Sequence, residues 1–273
     1  MSHVRFQARL LPDGRRLHLN DGPIDLVIGA DGDVRAAYRA AVARFATVLD
    51  ELCAELAVLR GPAAPDARPT GAVARRMWNA VLPHAGTAFI TPMAAVAGSV
   101  ADAVLCAMTA AAPLDRAYVN NGGDIALHLR PGFAFTAGLV DGSVLDATGR
   151  IEAGDGVGGI ATSGWRGRSF SLGIADAVTV LAADAATADA AATVIANAVD
   201  LPGHPAITRR AAWELQPDSD LGARLVTIGV DALSVGEIGL ALDRGAERAR
   251  ALSVTGAVLR LGGQTRVVGR GQG

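Results

Sequence analysis

Apolar and polar positions alternate over residues 6–11 and 16–20, on either side of Pro12-Asp13-Gly14, and predict a hairpin. Residues 24–28 continue the alternation as a third short strand. At Asp31-Gly32-Asp33 the period changes. Val34, Ala37, Tyr38, Ala41, Phe45, Val48, Leu49, Leu52 and Leu56 fall on one side of a helix that runs to about Leu59. A Gly/Pro-rich loop reaches Pro69, and Thr70 is placed to cap a second helix through Ala80. Thr91-Pro92 opens a third helix, residues 93–111, with Thr91 as its cap. Strands are predicted over 116–120, 125–129 and 133–140, then a Gly- and Asp-rich surface loop over 144–158. A strand at 177–182 leads into an Ala-rich helix that carries Asp189 and Thr193. Residues 200–222 read as polar and irregular, followed by a strand to Val230, a helix over 235–252 and a final hairpin. Helices mixed with hairpins imply an α+β fold with antiparallel sheet and packed Ala-rich helices, in a single domain over 1–273.

Composition sharpens this picture. The hydrophobic share of 51% rests on Ala and Val, with 4% aromatic residues, so the core is expected to pack closely. A net charge of -2 gives no footprint for nucleic acid or an anionic membrane. The most apolar run, residues 93–112, contains Asp102 and reads as a buried helix rather than a membrane span. The first seven residues lack a signal-peptide pattern and a lipidated Cys, which sets a cytoplasmic expectation. Cys53 and Cys106 are expected as buried thiols. The Ala-rich helices are expected to bury one another within a subunit or across a homodimer.

Four places could carry chemistry. Asp189 and Thr193 lie four apart, on one face of a helix, where a carboxylate and a hydroxyl can reach one hard cation. The alternative for Asp189 is the capping of amides at a helix start. Asn120-Asn121-Gly122-Gly123-Asp124 offers free amides and directional polar groups, or is an ordinary hairpin turn. Thr162-Ser163-Gly164, with Arg166 and Arg168 close behind, suits a phosphate or carboxylate, or is a solvated loop. The helix start at Thr91-Pro92 is an anion site or simple close packing. Among five scattered histidines, His84 is the best placed for acid–base work.

Taken together, these segments resemble the ApbE superfamily, whose founding members are FAD:protein FMN transferases. Asn121-Gly122-Gly123-Asp124-Ile125 is similar to the family's N-x-G-G-D-I turn. Residues 160–164, Ile-Ala-Thr-Ser-Gly, match its I-A-T-S-G segment, and residues 188–193 match its A-D-A-x-x-T helix. Residues 93–102 correspond more loosely to its G-x-I-A-K-G-x-x-x-D helix. The resemblance implies that Asp189, Thr193 and the carbonyl near Ala94 bind Mg²⁺, with Asp189 and Thr193 at the catalytic centre. It places FAD or another nucleotide-like ligand against Asn121, Gly122, Gly123, Asp124, Thr162 and Ser163. The implied activity is FMN transfer from FAD. A flavin- or metabolite-binding protein without transfer, or another small-molecule enzyme using Arg166 and Arg168 as its grip, are the alternatives. The chain departs from the family at Ala97, where the family has Lys, and at Trp165, where it has an acid. The H-I-I-D-P-x-T-G loop is replaced by residues 168–176, and a cytosolic branch without the family's lipoprotein leader is expected.

Overall fold

The structure, a computed structural model, describes residues 5–141, 144–252 and 254–269. Its centre is a nine-stranded sheet, antiparallel at every pairing. The expected opening hairpin is β1 (Gln7–Leu10) and β2 (Leu17–Asp21), followed by β3 (Ile24–Gly32). Leu17, Leu19, Ile24, Leu26 and Ile28 alternate onto the buried face. Helix α1 (Val34–Ala54) is capped by Asp33, which accepts the Ala36 amide at 3.1 Å, and lays Phe45, Val48 and Leu52 on the sheet. The predicted helix breaks at Glu55 and resumes as α2 (Leu56–Leu59).

Two expected caps work otherwise. Helix α3 (Ala72–Val81) starts after Gly71 without a side-chain cap, because Thr70 donates its hydroxyl to Glu55 at 2.6 Å. Thr91 gives its hydroxyl to Asp220, and Pro92–Ala95 forms a 3₁₀ turn that leads into α4 (Val96–Ala111). The segment Pro92–Ala111 is long and apolar enough to span a membrane, yet it packs against α1 and the sheet, with half of its apolar window buried.

Strands β4 (Leu114–Asn121) and β5 (Asp124–Leu129) close around the Gly122-Gly123 turn. A separate hairpin pairs β6 (Ala134–Asp141) with β7 (Val144–Glu152), so the stretch read as a surface loop is largely strand. Its Gly and Asp content hid a pairing that its neighbour dictates. The main sheet resumes with β8 (Gly159–Ser163) and β9 (Ala177–Ala182), and α5 (Ala185–Ala198) follows. The segment read as irregular contains β10 (Ile207–Ala211) and α6 (Ala212–Leu215), and β10 pairs with β11 (Leu225–Val230). Helix α7 (Val235–Ala251) and the hairpin β12 (Gly256–Leu261) and β13 (Gln264–Gly269) complete the fold.

The core falls into two main clusters, one under α1 and α4 and one under α5 and α7. The first holds large side chains such as Phe45, Met77 and Met108, and the second is rich in alanine. Ala185, Ala186, Ala188, Ala190, Ala191 and Ala192 are each no more than 2% exposed, so α5 is buried inside this chain. Cys53 and Cys106 are exposed, which corrects the expectation of buried thiols. The helical stripes of their neighbours turn them outward.

Candidate functional site

The first turns of α4 and α5 cross at Gly98. A Cβ there would sit 2.2 Å from the Ala185 carbonyl oxygen, so only glycine permits the approach. Closeness lets each helix reach the other's free amides. Asp189 on α5 accepts the Gly98 amide at 3.0 Å. Asp102 on α4 accepts the amides of Ala185 at 3.1 Å and Ala186 at 2.9 Å. The capping alternative for Asp189 is therefore realised, but across the crossing and on the other helix.

A cleft of about 550 Å³ opens beside this crossing. The Asp189, Thr193 and Ala94 positions line it from the helices, and Gly122, Gly123 and Asp124 line it from the β4–β5 turn. Thr162, Ser163 and Gly164 reach it from the end of β8, and Arg168 from the following loop. Three motifs whose lining residues run from Gly122 to Thr193 thus share one cleft. Register explains it: β5 pairs with β8 at Ile125 and Ile160, which sets the two turns side by side. The Thr162 amide donates to Asp124 at 3.2 Å. The Thr162 hydroxyl is engaged with Thr179 at 2.9 Å.

Two expected ligand residues stand elsewhere. Asn121 is buried behind the cleft, where its amide donates to the Ala97 carbonyl at 3.1 Å and steadies the start of α4. Arg166 turns away, pairs with Asp176 at 2.6 Å and stacks over Trp165. Arg168 stays, with a guanidinium nitrogen 3.5 Å from the Gly122 carbonyl oxygen. Gly122 has φ +66°, which favours glycine, and a Cβ there would displace the end of the Arg168 side chain. His84 is buried, outside the cleft, and burial together with Arg248 lowers its pKa.

The electrostatics follow from burial. Burial pushes the Asp124 carboxyl up to about 6, against the Thr162 amide and Arg168, which favour its charge. Burial and the neighbouring Asp124 raise Asp189 well above the usual carboxylate range. Two carboxyls that hold each other's protons make a place where a cation is favoured. Among the described residues, no three His, Cys, Asp or Glu side chains gather at one point. A cation here would therefore rely on these two carboxylates and on hydroxyl and carbonyl oxygens, a donor set suited to a hard divalent ion.

The far wall of the cleft was missed in the sequence. Gln216, Asp218, Ser219, Asp220 and Leu221 form it, with Arg60 opposite, bonded to Asp218 at 2.8 Å. The clustered Asp218-Ser219-Asp220 was a usable signal, but nothing local says that it folds back to residue 60.

A family model described as AbpE bacteria matches residues 8–267. A UPF0280 protein of Methanothrix thermoacetophila is 41% identical over 120 residues, covering 42% of this chain and 49% of that one. A UPF0280 protein of Methanosphaerula palustris is 41% identical over 143 residues, covering 50% of this chain and 56% of that one. The chain spans about half the length of the curated relatives it matches. The apo crystal structure of the Pseudomonas stutzeri flavinyl transferase ApbE is similar over 66% of this chain and 50% of that chain. That match has TM-score 0.37 and 15% identity. With nearly its whole length matched by the family model, the chain belongs to the AbpE bacteria family, an ApbE-like branch to which archaeal UPF0280 proteins are similar.

Proposed function

We propose that the cleft binds a phosphate-bearing, nucleotide-like ligand together with a divalent cation, and that its chemistry is transfer of FMN from FAD to a hydroxyl acceptor. One observation carries this reading. Asp189 and Asp124 converge on one side of the cleft, beside the Gly122-Gly123 turn, the Thr162 and Ser163 positions and the Arg168 guanidinium. Asp189, Thr193 and the Ala94 carbonyl would hold Mg²⁺. When bound, that ion supplies positive charge to the phosphate oxygens.

The chain's own groups have defined tasks. The amides of the Gly122-Gly123 turn and Arg168 orient phosphate oxygens by charge-assisted hydrogen bonds. The Gly98 amide fixes the rotamer of Asp189. Asn121 holds the start of α4, on which that amide depends. Asp124, near neutrality in its proton equilibrium, is suited to accept a proton from the incoming hydroxyl. We place the protein in the cytoplasm.

A second reading has a specific warrant. The family's H-I-I-D-P-x-T-G loop is replaced here by residues 168–176, and Arg166 is committed to Asp176. A cleft that binds flavin without transferring it fits that change. Incubating the protein with FAD and Mg²⁺ and following AMP release separates the two. AMP formation that disappears in Asp189→Asn supports transfer. Tight FAD binding without AMP supports the binding module. Absence of both refutes a flavin ligand.

In the binding assay, Asp189→Asn should lower cation-dependent affinity about a hundredfold, as expected for one lost charged ligand in a buried site. The affinity should also fall with acidity through about pH 6, where Asp124 takes up its proton, because a bound cation needs that carboxylate charged. An affinity that is flat from pH 5 to 8 would count against the two-carboxylate site.

A further inference from the structure

A second cavity, about 880 Å³, lies between the β1–β2 hairpin, the end of β3 and the first turns of α1. It is remote from the first cleft along the sheet. In the β3–β4 register Leu26 faces Asn121, at the cleft end, whereas Gly32 faces Leu114. This cavity sits at the Gly32 end, and the two cavities share no residue.

Its chemistry is two-part. Leu17, Val34 and Val42 give an apolar floor, and Leu10 stands 55% exposed at the edge. Single exposed hydrophobic residues are ordinary, but here one continues an apolar cavity of ligand size. The floor is braced. The Tyr38 hydroxyl donates to the Arg15 carbonyl at 2.6 Å and lies 3.3 Å from the Ile28 carbonyl, which ties the hairpin to β3. The site is thus pre-formed rather than induced.

The rim is cationic. Arg35 and Arg39 stand one turn apart on α1, and Arg15 faces them from the hairpin. Among the described residues none of the three guanidiniums enters an ion pair or side-chain hydrogen bond. Asp31 is the acid in the lining, and it is already paired with Arg116 at 2.6 Å. A chain of net charge -2 therefore concentrates three unpaired cations around one apolar cavity.

We propose that this cavity binds an anionic amphiphile of the fatty-acid class, with its apolar chain over Leu17, Val34 and Val42 and its carboxylate among Arg15, Arg35 and Arg39. Charge complementarity selects the anionic head, and the apolar floor selects the tail. The site is independent of the function proposed for the first cleft.

Titration calorimetry with dodecanoate, below its micelle-forming concentration, tests it. Saturable binding of one dodecanoate per chain is expected. Dodecyltrimethylammonium, with the same tail and the opposite charge, should bind at least about tenfold more weakly. Replacing the two helix arginines, Arg35→Ala with Arg39→Ala, should weaken dodecanoate about tenfold, and Val42→Glu should abolish binding. Asp189→Asn should leave dodecanoate affinity unchanged. No saturable binding, equal affinity for the cationic amphiphile, or sensitivity to Asp189→Asn would each overturn the proposal. So would an acidic amphipathic peptide that displaces dodecanoate and binds more tightly through the same arginines.

Discussion

Helices α4 and α5 carry the same device and use it differently. Each presents an aspartate to the free amides at the start of the other. Asp102 is closed in, with both carboxylate oxygens taken by the Ala185 and Ala186 amides and Arg76 at 3.9 Å. Asp189 accepts the Gly98 amide, has the Ala97 amide beside it favouring its charge, and lines the cleft near Asp124. The same hydrogen bond is thus a brace in one place and an orienting support in the other. What separates them is the cavity: Asp102 is enclosed by packed backbone and makes structure, whereas Asp189 lines the cleft and makes a site.

The crossing itself is the severest place to break this pair. Valine at Gly98 would drive its Cβ into the Ala185 carbonyl oxygen and toward the Ala186 nitrogen, both backbone atoms that cannot step aside. Separating the helices loses both caps together. Gly98→Val should cost more than about 3 kcal/mol, a fall in Tm of roughly 6–12 °C, read from thermal melts. A Cβ added at Gly236, near the start of α7, would meet nothing within 4 Å, so Gly236→Ala should leave Tm within about 2 °C. Equal melting of the two variants would show that the crossing is not a constraint.

The sequence carried the cleft further than it carried the braces. The alternating strands, the Ala-rich helix and the order of three motifs sufficed to name Asp189, Asp124 and Thr162 together. Strand pairing then did what the motifs implied, since Ile125 opposite Ile160 aligns their turns. Asp102 was visible as a charge interrupting an apolar run and as the last position of the looser helix match over residues 93–102. Its use depends on a partner 83 positions away, and no local pattern encodes that distance. Thr70 and Thr91 failed as caps for the same reason: distant acids, Glu55 and Asp220, took their hydroxyls. Arg166 and Arg168 look equivalent in sequence, and only Asp176 and Trp165 draw the first away. The β6–β7 hairpin was half missed because pairing, rather than composition, makes β7 a strand.

The comparison can be sharpened by titrating the brace. Burial raises the Asp102 carboxyl from the ordinary 3.8 to about 6, with the nearby Asp184 adding and the Ala185 and Ala186 amides and Arg76 opposing. Well below pH 3.8 the group is protonated in both states. Between 4 and 6 the unfolded chain releases a proton that the folded chain keeps, so this group's contribution to stability falls as pH rises. His84 acts in the other sense. Its lowered pKa makes the unfolded chain bind the extra proton below 6.5, so that contribution falls with acidity. The difference between wild type and Asp102→Asn removes the histidine. Asparagine still offers one acceptor oxygen, and the stability gap in favour of wild type should shrink by about 3 kcal/mol between about pH 3 and 8. Urea unfolding at several pH values checks this, and a gap independent of pH would place Asp102 in an ordinary solvated environment.

The smallest effect isolates the other half of the pair. Asn121 supports only the α4 side of the cleft, by donating to the Ala97 carbonyl next to the amide that holds Asp189. Asn121→Ala removes one buried hydrogen bond and should cost about 1 kcal/mol. It does not touch the amides that Asp102 accepts. The pH dependence of the wild-type-minus-Asp102→Asn gap should therefore be the same in the Asn121→Ala background. Cation-dependent ligand affinity should weaken severalfold, because the Gly98 amide is no longer fixed against Asp189. If the pH dependence changed and the affinity did not, the two aspartates would be one coupled unit, and the division between brace and site would be wrong.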